Sequence, residues 1–194
     1  MLNLIWRVQV SNATIVTARG KVFDYLKPHS YEYDIYDISH SLSNICRFAG
    51  NTSAFYSVAQ HSVIVARLVA ALDPHLAKMA ILHDAAEAFM NDMPSPLKKL
   101  FPGFSEIEDN ILTAVFKHFD VEPTPDTVIS KIVKHYDRAV GIAEMRDLFN
   151  GCNPYSDKLS CEAVEVPPIC PLPPRVANEL FLRVFFQICD GKFH

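Results

Sequence analysis

The chain is 194 residues long, 49% hydrophobic and 21% charged, with a formal charge of −4, which suits one compact domain over 1–194 with a sizeable core. Its Lys and Arg residues are scattered, so the electrostatic attraction that dominates binding to long nucleic acid is lacking. No apolar run reaches the roughly 20 residues of a membrane span, and Asn3, Trp6, Arg7 and Gln9 interrupt the stretch where a signal peptide would be apolar throughout, so a cytoplasmic home and no membrane partner are expected.

Residues 14–25 read as a hairpin, because Thr14-Ile15-Val16-Thr17 and Val22-Phe23 are β-prone and flank Arg19-Gly20 as a turn. Helices are expected after it. Asp37 can cap one that runs to Phe48, with Ile38, Leu42 and Ile45 on one face and Gly50 as its stop. Ser57-x-x-Gln60 is a capping box for a second, with the stripe Val58, His61, Val65, Leu68, Leu72. Asp73-Pro74 starts a third, carrying Leu76, Met79, Ala80, His83 and Glu87 at helical spacing. The prolines of Asn91-Asp92-Met93-Pro94-Ser95-Pro96 predict an extended loop.

Ser105-x-x-Glu108 predicts a fourth helix to about Phe119, with Ile107, Ile111 and Val115 inward. Thr124-Pro125 predicts the start of a fifth, to Phe149, with Ile129, Val133, Asp137, Val140 and Leu148 near one face and Gly151 as its end. Residues 151–174 hold six prolines and read as a Pro/Cys-rich loop, followed by a last helix from Arg175 to Cys189 that buries Val176, Leu180, Val184 and Ile188. Cys46, Cys152, Cys161, Cys170 and Cys189 are odd in number and contain no C-x-x-C pair, against a disulfide framework or zinc ribbon. The trio Cys152, Cys161, Cys170 has metal-binding chemistry, but free thiols in a loop are the commoner case.

Three of the expected helices carry metal-competent groups on inward faces: His61 on the second, His83 and Asp84 on the third, Asp137 on the fifth. A single buried His needs only a hydrogen bond. Two buried carboxylates are costlier, several kcal/mol to desolvate, and no Lys or Arg shares the inward faces beside Asp84 or Asp137. A divalent cation compensates both. This mixed N/O set suits Mn²⁺, Co²⁺, Fe²⁺ or Zn²⁺ without selecting among them. A cation so held generates a nucleophile from water and polarises the electrophile's oxygen, which points to hydrolysis. Glu87, four residues after His83 and three after Asp84, projects from the same face and can deliver or accept a proton, or simply support a ligand His. Asp92 can orient water or protonate a leaving group, where a lone loop Asp is ordinarily a turn residue.

The series His61, His83-Asp84, Asp137 resembles the H…HD…D signature of the HD-domain phosphohydrolases. That resemblance implies an all-α HD-domain helical bundle, here with a short N-terminal β-hairpin. Leu82-His83-Asp84-Ala85-Ala86-Glu87 followed by Asn91-Asp92-Met93-Pro94-Ser95-Pro96-Leu97-Lys98 is similar to the matching segment of the bacterial 5′-deoxynucleotidases, which implies a metal ligand at Asp84 and catalytic carboxylates at Glu87 and Asp92. Ile45-Cys46-Arg47-Phe48 resembles that family's Arg-Trp pair, whose Arg meets phosphate and whose aromatic packs on the nucleoside, with Phe48 in place of Trp. The run from Asp37-Ile38-Ser39-His40 to Gln60-His61-Ser62-Val63 is similar to a branch that includes dATP triphosphohydrolases of phages that replace adenine by 2-aminoadenine.

The resemblance therefore implies a dATP-preferring triphosphohydrolase, with a monophosphate-specific 5′-deoxynucleotidase and a non-catalytic nucleotide- or partner-binding module as alternatives. It also implies a small deoxynucleotide partner and a homo-oligomer, and Mg²⁺ can enter with the substrate phosphates. Apart from any family, the Arg47 guanidinium fork suits phosphate, although it can also serve the dipole of its helix end. Lys98 can add positive charge at a developing phosphoryl oxyanion.

Overall fold

The computed structural model describes residues 13–124, 127–149 and 164–193. They form a mostly helical structure with one small sheet. Strands β1 (Thr14–Val16) and β2 (Val22–Asp24) pair antiparallel with Ile15 opposite Phe23. Gly20, at φ 79°, turns the chain between them and donates its N–H to the Thr17 carbonyl at 2.9 Å. Phe23 is fully buried, stacked on Phe89 at 4.3 Å and ringed by Tyr25, Tyr31 and Tyr33. The hairpin is thus an apolar plug in the helical core as well as a pair of strands.

Helix α1 (Ile35–Asn44) is capped by Asp34, whose carboxylate accepts from the Tyr36 N–H at 2.9 Å, three residues before the expected cap. Asp37 lies inside the helix and accepts from the Thr17 hydroxyl and the Arg19 N–H at 2.8 and 2.9 Å, tying hairpin to helix. Helix α2 (Val58–Leu72) starts at the expected cap, with Ser57 Oγ accepting from the Gln60 N–H, and packs against helices on several sides. Being nearly enclosed, it buries Ala66 and Val69, while Leu72, expected in its stripe, is exposed. The third expected helix is divided into α3 (Ala77–Leu82) and α4 (Glu87–Met90). Between them the bonds Ala85 N–H to Leu82 O and Glu87 N–H to Asp84 O tighten the turn that holds His83 and Asp84.

The Pro-containing segment after α4 is extended only to Pro94. Ser95–Lys98 is a helical turn, α5, with Pro96 in the first turn, where no intrahelical N–H is required. Helix α6 (Phe104–His118) follows left-handed Gly103 and has no side-chain cap, because Glu108 pairs with Lys98 instead of closing the expected box. Ile111 and Val115 are buried as expected, whereas Ile107 is exposed. Helix α7 (Lys131–Leu148) is capped by Ser130, well past Thr124. The Thr124 hydroxyl meets the Thr127 hydroxyl, which itself donates to the Ile129 carbonyl, local bonds that compete with helix, and Pro125 lies outside the described residues.

Helix α8 (Pro174–Cys189) buries Ala177, Phe181, Val184 and Phe185, a face rotated from the one expected; Val176, Leu180 and Ile188 sit at its margins. The large rings set the inward direction. Residues 164–173 have no regular structure and are held on α2 by Gln60, whose amide donates to the Cys170 carbonyl and accepts from the Leu172 N–H, both at 2.8 Å. The rest of the expected loop, with Cys152 and Cys161, lies outside the described residues. Cys46, Cys170 and Cys189 are free thiols. Among the described residues no helix is long and apolar enough to cross a membrane.

Candidate metal centre

Helices α2 and α7 and the tightened turn after α3 bring His61, His83, Asp84 and Asp137 together. One ligand atom from each of His61, His83 and Asp137 can be chosen so that all three lie within 4.8 Å of one another. His61 Nε2 is 3.1 Å from Asp137 Oδ1 and 3.6 Å from Asp84 Oδ2; His83 Nε2 is 3.9 and 3.3 Å from the same oxygens. Both Nε2 atoms are buried and without a hydrogen-bond partner. Both Nδ1 atoms are engaged, His61 with Glu144 Oε1 at 2.6 Å and His83 with the Ala80 carbonyl at 2.7 Å. An Nδ1–H donating to these acceptors leaves each Nε2 lone pair facing the carboxylates, the tautomer a metal ligand requires. The donor set therefore fits a divalent cation of the N/O-binding kind.

The electrostatics agree with that fit. Burial opposes a charge on His61, as does Arg47, yet Glu144 and Asp137 outweigh them and raise its pKa to about 9. Burial likewise works against a charged Asp137, but contact with both imidazoles holds its carboxyl well below the usual range. The cluster favours positive charge between its side chains, which a cation supplies more fully than a proton.

One expectation about charge is corrected. Asp84 does have a positive neighbour, Arg47 Nη1 at 3.5 Å, contributed by a segment outside the inward helix faces. Arg47 lies past the end of α1, not on it as expected. Its N–H donates to the Tyr56 carbonyl at 2.9 Å beside a bridge between Cys46 and Ser57, so the segment is pinned against the start of α2. Phe48, Ala49 and Gly50 then take left-handed φ values of 55°, 51° and 75° in succession. For the two non-glycine residues that costs about 1–2 kcal/mol each. The turn aims Arg47 inward, with Nε donating to Glu144 Oε2 at 3.1 Å. Burial disfavours its charge, but Glu144 and Asp84 overcome this and raise its pKa. The Phe48 ring has the Arg47 guanidinium 5.4 Å from its centroid and meets Phe149 edge-on at 5.2 Å.

A cavity of about 300 Å³ opens beside the cluster, lined by His83, Asp84, Asp137, Glu87 and Lys98 among others. Glu87 is buried with Oε2 unpartnered, and burial, then Asp84 and Asp92, push its pKa well up. Asp92 is also raised, burial outweighing the opposing pull of Arg47. Lys98 donates to both oxygens of Glu108 at 2.7 Å. Burial acts to lower its pKa, and the Glu108 partner more than offsets that.

Three residues of this region are absent from the sequence reading. Glu144, fully buried, follows Asp137 by seven residues on the same side of α7, and a buried carboxylate at that spacing is the signal that could have revealed it. Lys134 and Arg138 flank Asp137 and line the cavity, with no ion pair to any described residue. Cations on either side of a candidate ligand carboxylate were their only mark in the sequence.

The two carboxylates, expected to be buried, are only half-buried, because the cavity opens beside them. A mostly helical protein in which two buried imidazoles face two half-buried carboxylates at a polar cavity is the class that fold and site define. No protein-family profile matches the chain. It is 38% identical over 177 residues to an Escherichia coli protein named as the uncharacterized protein YfdR, covering 91% of this chain and 96% of that one. The chain belongs to the family of YfdR. An uncharacterized protein of Rhodobacter capsulatus is 33% identical over 125 residues, covering 61% of this chain and 64% of its own.

Proposed function

We propose that the chain is an HD-domain, metal-dependent phosphohydrolase of 2′-deoxynucleotides, acting as a dATP-preferring triphosphohydrolase that releases deoxynucleoside. The observation that carries the reading is the pair of buried, unpartnered Nε2 atoms of His61 and His83 facing the carboxylates of Asp84 and Asp137. These four residues would hold the cation. When bound it supplies Lewis-acid polarisation of a phosphoryl oxygen and acidifies water.

The remaining work falls to the chain's own groups. In hydrolysis a water oxygen joins phosphorus, the bond to the leaving oxygen breaks, and one proton passes to that oxygen. Glu87, whose pKa is pushed well up by burial and by Asp84, is biased toward the protonated form a proton donor needs, and Asp92 is the second raised carboxyl nearby. Arg47 offers its remaining N–H groups to a phosphate, and Lys134 and Arg138, which have no ion pair to any described residue, stand among the carboxylates of the cavity wall as further phosphate contacts, whereas Lys98 is already paired with Glu108. A polyphosphate has more negative charge to place beside Lys134 and Arg138 than a monophosphate has, which supports a triphosphate substrate. Product analysis with dATP and dAMP tests this: deoxyadenosine and triphosphate from dATP are expected. Cleavage of dAMP alone would replace the triphosphohydrolase with a 5′-deoxynucleotidase.

A further inference from the structure

Glu144 is the most deeply buried carboxylate in the site, at 0% exposure, yet it faces away from the cluster's centre. One oxygen meets His61 Nδ1 at 2.6 Å and the other meets Arg47 Nε at 3.1 Å. Both partners donate when the site is loaded: the imidazole must carry its proton on Nδ1 if Nε2 binds a cation, and a guanidinium has no acceptor. Two converging donors need two acceptors on one rigid group. A carboxylate supplies them, whereas an amide offers one acceptor oxygen and turns an NH₂ donor toward the other partner. Burial, and after it the Glu144 charge, holds the proton on the buried Tyr56 hydroxyl, so it adds no competing negative charge.

We infer that Glu144 is a positioning residue that couples the two halves of the site, fixing His61 for the cation and Arg47 for the phosphate through its two oxygens. This rests on the proposed function for the identity of the ligands, but the coupling is a property of the pair of contacts. The bond from the Arg47 N–H to Tyr56 and the left-handed turn fix the backbone only, so the guanidinium's aim is set by its side-chain contacts, Glu144 at 3.1 Å and the longer approach to Asp84 at 3.5 Å.

The test uses metal-stripped full-length protein, titrated with Co²⁺ by its visible spectrum, then with inorganic phosphate on the Co²⁺-loaded form. Glu144→Gln should satisfy one donor and break the other, so that either Co²⁺ or phosphate affinity falls about 10-fold to 100-fold while the other stays near that of the parent. Glu144→Ala should lose both. Glu144→Asp, with two acceptors on a shorter stem, should recover part of each and protects the test if the other variants fold poorly. Glu144→Gln binding both ligands as the parent does would overturn the inference, as would Glu144→Asp losing both as fully as Glu144→Ala. Binding is read without turnover, so a parent that binds Co²⁺ and phosphate but hydrolyses no nucleotide would defeat the proposed function while leaving the coupling supported.

Discussion

Replacing Asp137 with Ala removes the oxygen that stands 3.1 Å from His61 Nε2 and 3.9 Å from His83 Nε2, one of four groups proposed to hold the cation. A ligand that binds only the folded chain stabilises it by RT ln(1 + [L]/Kd), about 2.7 kcal/mol at a hundred times Kd. At about 2–4 °C per kcal/mol for a domain of this size, Co²⁺ or Mn²⁺ should raise the parent's Tm by about 5–11 °C. Loss of a group that merely supports a ligand can weaken binding about 10²-fold, and loss of a ligand should weaken it at least as much. At the same metal concentration Asp137→Ala would then gain only about 0.4 kcal/mol, or about 1 °C. The assay is a thermal melt of both proteins with chelator and with metal. A full metal-induced shift in Asp137→Ala would refute the cluster as a metal site.

Glu87→Ala should bind metal as the parent does while kcat falls about 10²-fold to 10⁴-fold; joint loss of metal would make Glu87 a ligand or a structural support. Arg47→Ala should raise KM for every nucleotide turned over, because it removes a contact to the shared phosphate, whereas Phe48→Ala should alter the ranking among bases. Equal losses from both replacements, base by base, would contradict that division. Ala49→Gly should stabilise the chain by about 0.5–1 kcal/mol, seen as a Tm rise of about 1–4 °C. Ala49 is exposed at φ 51°, so glycine relieves strain and sacrifices no packing. An unchanged or lower Tm would show that the turn is not strained.

The site was legible where a polar group interrupts an apolar face. His61, His83 and Asp137 each sit in such a stripe, and the fold brings them together from three segments. Helix ends were read less well, because several caps are decided by distant partners: Asp37 is taken by the hairpin and Glu108 by Lys98, leaving Asp34 and Gly103 to start α1 and α6. The face of α8 was displaced because Phe181 and Phe185 outweigh the aliphatic residues beside them. Arg47 illustrates a further limit. Its type and position suggested a phosphate contact, but the left-handed turn that aims it depends on Phe48 and Ala49 adopting φ values their side chains disfavour.

The central claim is that the cluster binds a divalent cation in order to hydrolyse deoxynucleotides. Metal-stripped protein, reconstituted separately with Mn²⁺, Co²⁺, Zn²⁺ or Mg²⁺, should be assayed against the common ribo- and deoxynucleotides as mono- and triphosphates. Metal-dependent turnover with deoxynucleotides exceeding ribonucleotides, and dATP at least equal to dAMP, is the predicted result; stoichiometric metal binding with no nucleotide turned over would contradict it and leave a binding module.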